Sequence, residues 1–261
     1  MALDRNNGPT DESRRGFLRT SAALAGLTLL GGTGLSTALA EAVRRPVANG
    51  ERPLARYPQK RELRVLTTRP VEIETPMAVF NQGVITPNDA FFVRWHLADV
   101  PTRIDGRRFR IRIHGRVKQP LELTPAQLAS DFEPVALTAV CQCSGNSRSF
   151  FEPRVAGGQW TNGAMGNAHW KGVRLRDVLD KAGLASDALQ VRFNGADGPP
   201  MSQTPDFMKS LNVDMARSED VLIAYEMNGA PLPLLNGYPV RLVVPGWYAT
   251  YWVKMLADIE V

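Results

Sequence analysis

From about residue 76 onward, strand-like and helix-like stretches follow one another without a regular βα repeat, and this irregularity most constrains the fold. A repeating βα unit builds a parallel sheet flanked by helices. An irregular mixture predicts separate strands and short helices around one core, an α+β domain. Phe109, Ile111 and Ile113 alternate with Arg108, Arg110 and Arg112, the two-residue period of a half-buried strand, closed by the turn Lys118-Gln119-Pro120. Thr124-Pro125 opens a short helix with an N-cap and a first-turn proline. Residues 135–140 form an apolar run ending at two cysteines, and Val173, Leu175, Val178, Leu179 and Ala182 fit one helix face terminated by Gly183. Residues 189–193 read as a strand running into the turn-rich stretch 194–200. Thr204-Pro205 is expected to cap a helix through Leu211, and strands are expected over 221–225, 239–244 and 251–256. Residues 41–75, rich in Pro and Arg and without sustained periodicity, read as an extended N-terminal arm, and 76–261 as one domain.

The first forty residues read as an address. Ser13-Arg14-Arg15-Gly16-Phe17-Leu18-Arg19 is a twin-arginine pattern, followed by an apolar stretch and by Ala38-Leu39-Ala40. A retained membrane anchor is the competing reading, but Gly31, Gly32 and Gly34 interrupt the apolar run and an A-x-A cleavage site follows it. The expectation is a cleaved signal over 1–40 and a periplasmic protein without stable membrane insertion. The twin-arginine route carries chains already folded, often around an inserted cofactor, so a cofactor becomes the first hypothesis.

With 44% hydrophobic and 22% charged residues the chain is of ordinary globular composition. The formal charge of +5 is scattered rather than gathered into runs, which argues against nucleic acid as a partner. The only cysteines, Cys141 and Cys143, are too few for a disulfide scaffold or a thiolate zinc site, and the absence of CxxCH argues against covalent haem.

Those cysteines open the densest cluster of unusual residues, Cys141-Gln142-Cys143-Ser144-Gly145-Asn146-Ser147-Arg148-Ser149, where an apolar strand runs out into a loop. Two strand residues two apart point the same way and lack the geometry of a relaxed disulfide. Cys141, inside the apolar run, reads as a small buried side chain. Cys143 begins the loop, with the cationic Arg148 five residues on. A thiolate there serves as a nucleophile or as a ligand to a soft metal.

The loop Cys143-Ser144-Gly145-Asn146-Ser147-Arg148-Ser149 resembles the C-x-G-N-x-R-S loop of the sulfite oxidase family of molybdenum enzymes. The resemblance continues in family order over about residues 77–261. It runs through Phe92-Val93-Arg94-Trp95-His96, Gly163 to Trp170, Val173-Arg174-Leu175, Ala224 to Gly229, and Asn236 to Gly246 with Trp252-Val253-Lys254. Pro233 to Gly237 and Trp247 to Trp252 look most like the bacterial periplasmic sulfite dehydrogenases. The resemblance implies a molybdopterin-binding domain, with Cys143 as the molybdenum ligand. It implies that Phe92, Val93, Arg94, Trp95, His96, Asp197, Asn236, Arg241, Trp252, Val253 and Lys254 hold the pterin and its phosphate. Guanidinium and ammonium groups suit a phosphate. Without it, Arg241 and Lys254 read as solvated strand-edge charges and Asp197 as a turn residue.

Arg94, His96 and Arg148 are implied as the groups facing substrate, since a small dianion such as sulfite needs fixed positive charge beside the metal. His96 either tunes Arg94, helps move protons or is a satisfied contact; His114 and His169 read as structural. The implied activity is oxidation of sulfite to sulfate, with electrons passed singly to a c-type cytochrome. The resemblance ends without the family's later substrate-site tyrosine and immunoglobulin-like dimerisation domain, so the expected fold lacks both. Two rivals remain: a reductive branch of the fold acting on methionine sulfoxide, and a molybdopterin-binding fragment or subunit without turnover of its own.

Overall fold

The computed structural model describes residues 52–261 together with the two-residue strand Ala42–Val43; the proposed signal over 1–40 lies outside the described residues. Fifteen described strands form three sheets. The first is antiparallel throughout, in the order β1 (Ala42–Val43), β2 (Arg52–Arg56), β3 (Glu62–Thr68), β4 (Val71–Glu74) and β5 (Val93–Arg94). The second combines β6 (Ile111–His114), β7 (Leu121–Leu123), β10 (Gln190–Gly195), β11 (Met208–Asn212) and β15 (Leu256–Glu260) in the order β11-β10-β15-β6-β7, with β15 parallel to β6. The third holds β8 (Pro134–Gln142), β9 (Met165–Arg174), β12 (Leu222–Met227) and β13 (Ala230–Pro231) in the order β13-β12-β9-β8, with β14 (Arg241–Val243) also paired to β12.

Helices are short: α1 (Met77–Phe80), α2 (Pro125–Asp131), α3 (Leu175–Ala182) and α4 (Val213–Ala216). The expected cap of α2 is present as a capping box, in which Thr124 and Gln127 satisfy each other's backbone N–H. Gly183 closes α3 in the left-handed region, with φ 71°. The α+β class holds. Among the described residues no helix is long and apolar enough to cross a membrane.

Several expectations need correction. The second half of the arm is folded into β2, β3 and β4, and Leu63, Val65 and Ile73 are buried there beside Val93, Trp95 and Met255. No helix follows Thr204-Pro205; residues 208–212 pair antiparallel with β10 at five consecutive positions, and tertiary pairing overrides the local cap signal. The strand expected over 251–256 is displaced. A 3-10 turn covers Ala249–Tyr251, Met255 sits at φ 50°, and the ladder begins only at Leu256. The strand expected to begin at Arg108 starts at Ile111. β9, ten residues long and central to its sheet, had no counterpart among the expected elements.

Candidate active-site cleft

β8 delivers Cys141 near its end, and the chain leaves the strand at Cys143. The loop is stapled to the segment 158–164 by backbone bonds, from Cys143 N to Ala164 O (2.9 Å), Ser147 N to Thr161 O (2.6 Å) and Ser149 N to Trp160 O (2.9 Å). The Asn146 side chain accepts from Ala164 N at 2.9 Å, closing the loop from the other direction. Ser147 takes a left-handed conformation, φ 70°, and so turns the chain into the 3-10 helix Arg148–Phe150. Both thiols are free, and Gly145 N lies 3.4 Å from Cys143 Sγ as a backbone donor. The Arg148 guanidinium lies over Gly145 and Gly157, where a Cβ would come within 2.8 Å and 2.5 Å of its Nη1. A side chain at either position would make that guanidinium shift.

Three cations from elsewhere in the fold meet this loop, which itself carries Arg148. On β5, Arg94 stands opposite Glu72 of β4, and its Nε lies 3.6 Å from the Glu72 carboxylate. Burial lowers the Arg94 pKa; the Cys143 and Glu72 charges oppose that shift, and Arg148 adds to it. On β14, Arg241 is buried, donates to Asn236 O (2.9 Å) and Trp252 O (3.2 Å), and lies 5.1 Å and 5.7 Å from the ring centres of Trp170 and Trp252. Lys254 donates to Arg94 O at 2.7 Å with its ammonium 4.2 Å from the Trp95 ring centre. Burial, reinforced by Arg241 and opposed by Asp197, pushes Lys254 down to about 7. The reading of Arg241 and Lys254 as solvated strand-edge charges is therefore wrong for this fold.

His96 stacks flat on Phe207, with ring centres 3.6 Å apart. Burial first, then Arg94, Lys254 and Lys209, hold its pKa down at about 2, so the imidazole is neutral at any physiological pH.

These residues line a cleft holding about 600 Å³ of empty space open to solvent. Phe92, Val93, Arg94, His96, Cys143, Arg148, Asn236, Arg241 and Lys254 all reach it. The other four residues named from the sequence stand behind it. Trp95, Trp252 and Val253 are core side chains, and Asp197 is buried, not a solvated turn residue. His114 pairs with Asp258 on β6 and β15, and His169 bonds Thr138 on the outer face of β9, both outside the lining. Cys141 and Ser144 line the cleft as well, although Cys141 read only as a buried apolar side chain.

Two of the buried charged residues that sequence reasoning did not name stand close behind the lining. Lys60 gives its ammonium to Asn88 O (2.6 Å), Phe91 O (3.0 Å) and Asn236 Oδ1, and the Asn236 amide nitrogen Nδ2 in turn donates to Phe92 O (3.1 Å). Glu72 is the other. Both lie in the Pro- and Arg-rich stretch before the first recognisable motif, where nothing local marks them.

The lining carries two thiols and four cations and no carboxylate. Buried Arg94 Nη1 and Arg241 Nε make no hydrogen bond. Unsatisfied buried donors are costly, and here they suit an anionic ligand. The family described as oxidoreductase molybdopterin binding domain matches residues 96–261. The chain belongs to that family.

Among relatives of this molybdopterin binding domain, mitochondrial sulfite oxidase of Mus musculus is 39% identical over 204 residues, covering 76% of this chain and 37% of that protein. Nitrate reductase [NAD(P)H] of Hordeum vulgare is 35% identical over 206 residues, covering 76% of this chain and 23% of that protein. Among solved structures, the sulfane dehydrogenase SoxCD from Paracoccus pantotrophus superposes with a TM-score of 0.64 at 28% identity, over 74% of this chain and 47% of that one. The chain thus spans 37% of the length of the first curated relative it matches. The molybdopterin match begins at His96, so Lys60, Glu72 and Arg94 lie upstream of it.

Proposed function

We propose that this chain is the molybdopterin-holding catalytic part of a periplasmic oxidoreductase that converts sulfite to sulfate and passes the electrons singly to a c-type cytochrome. The observation that carries the reading is the convergence of Cys143 with Arg94, Arg148, Arg241 and Lys254 on one cleft free of carboxylates. Cys143 is the thiolate that ligates molybdenum, while Arg241 and Lys254 hold the pterin phosphate through a fork and a compact charge. Molybdenum in its pyranopterin supplies two-electron redox chemistry and oxygen-atom transfer to sulfur. Arg94 and Arg148 draw the substrate dianion out of water and orient it, and their charge is fixed before it arrives. His96, neutral and stacked on Phe207, contributes shape and hydrogen bonding instead of a mobile proton. Export folded by the twin-arginine route is supported by Ser13 to Arg19, and a one-electron acceptor outside this chain by the absence of CxxCH in it.

The test is sulfite-dependent reduction of ferricyanide or cytochrome c per molybdenum atom. Turnover abolished by Cys143→Ser is the expected result. Stoichiometric molybdenum without turnover on sulfite, but with turnover on nitrate or methionine sulfoxide, would move the chain to a reductive chemistry. Molybdenum without any turnover would make it a cofactor-binding part that needs further chain to act.

A further inference from the structure

Behind the two arginines of the cleft lies a carboxylate that the proposed function does not use. Glu72 is 5% exposed, and its register on β4 puts it directly across from Arg94. The pair is a poor ion pair by geometry. Oε1 sits 3.6 Å from Arg94 Nε, and Oε2 and Arg94 Nη1 are both buried without a hydrogen bond. Gly158 presses on the same carboxylate, since a Cβ there would lie 2.4 Å from Oε2, and the carbonyl of Gly158 accepts from Arg148 Nη1 at 3.3 Å. Glu72 thus feels both guanidinium groups. Burial raises its pKa, and the charges of Arg94 and Arg148 oppose that. A buried pair without good hydrogen bonds returns little stability for the desolvation it costs. Its plainest effect is on the field in front of Arg94 and Arg148.

We infer that Glu72 is an affinity-setting residue, a buried counter-charge behind Arg94 that weakens the grip of the arginine pair on anions. A cleft binding a doubly charged product between two unopposed guanidinium groups would release it slowly. One negative charge behind them lowers the affinity for substrate and product alike, without touching either. This rests on Arg94 and Arg148 being the anion-holding pair of the proposed function.

The test uses the molybdenum-loaded protein and inorganic sulfate as the probe, with binding measured by calorimetry and independent of turnover. Glu72→Gln keeps the shape and removes the charge. Its sulfate dissociation constant should fall roughly tenfold, the scale of one unit charge removed near a partly buried site. Glu72→Asp, which keeps the charge, should stay within about twofold of the wild type. In sulfite turnover the Gln variant should show a lower KM and no gain in kcat, a split that loss of packing would not produce. Unchanged or weaker sulfate binding in Glu72→Gln, equal shifts in the Gln and Asp variants, or no sulfate binding by either wild type or Gln variant would overturn the inference. Should Glu72→Gln fail to accumulate, Glu72→Asn removes the same charge with a shorter amide; failure of both would make Glu72 a folding residue and also overturn it. Tighter sulfate binding by Glu72→Gln in a protein that does not oxidise sulfite would leave this inference standing and bring down the proposed function alone.

Discussion

Lys60 ties residues 88–91, which lead into β5, to Asn236 on the opposite wall of the cleft. Its ammonium reaches the carbonyls of Asn88 and Phe91 and the amide oxygen of Asn236. Burial holds it down at about 7, against the opposing pull of Asp89. An amine whose pKa is lower folded than unfolded binds fewer protons in the native state over the interval between the two values. Stability therefore rises with pH from about 7 toward about 10.5, and the contribution is lost as pH falls through the folded value. Lys254, also pushed down to about 7, adds a second proton to the same interval. Urea denaturation of the cofactor-free protein at pH 7.5 and pH 9 should show stability increasing with pH, by up to about 1.4 kcal/mol per pH unit for each lysine. Lys60→Met should remove about half of that slope and, by stripping a donor from three acceptors, cost about 1–3 kcal/mol at pH 7.5. An unchanged slope would refute the account of Lys60. Neither Lys60 nor Glu72 was legible in the sequence, because a buried charge announces itself only through partners far along the chain. Arg241 was named through a motif, yet its burial between Trp170 and Trp252 depends on contacts that no local pattern encodes.

Elements were legible where side chains carried the signal. The capping box of α2 and the glycine stop of α3 are chemical features of a few adjacent residues, and both stand as expected. β9 was invisible for the opposite reason. Its inward positions Gly166, Ala168, Trp170 and Gly172 include two glycines and an alanine, so the two-residue period has almost no apolar contrast. Those glycines are there because the neighbours come close. A Cβ on Gly172 would lie 2.1 Å from Ile223 O and 2.6 Å from Ala224 Cα on β12, whereas one on Gly166 would meet the Phe91 ring at 2.4 Å. Backbone in a ladder yields less than a ring does. Gly172→Ala is therefore expected to destabilise by about 2 kcal/mol or more by prising β9 from β12, measured as a lowered urea midpoint. Gly166→Ala should cost less stability but displace Phe91 from the cleft wall and lower molybdenum content per chain. The reverse order of the two stability losses would contradict this account of β9.

At the scale of the whole molecule, the cleft is assembled from all three sheets. β5 brings Arg94 from the first, the end of β8 and β14 bring Cys143 and Arg241 from the third, and the segment entering β15 of the second brings Lys254. The motifs that made the site residues legible are therefore spread over more than 150 positions, and the sequence could name most of the lining without showing how its parts meet. A ligand held by three sheets at once couples their unfolding, because releasing any one of them forfeits the shared contacts. Binding to the native state alone raises stability by RT ln(1 + [L]/Kd), about 4 kcal/mol at a thousandfold excess over Kd. The molybdenum-loaded chain should accordingly melt in one cooperative transition well above the cofactor-free chain. Hydrogen exchange should slow together at 91–96, 141–149 and 236–254 on loading. With both thiols free, reductant should leave either melting temperature unchanged. Protection confined to 141–149 would mean that Cys143 alone holds the cofactor, and that the cationic walls contributed by the other two sheets do not bind it.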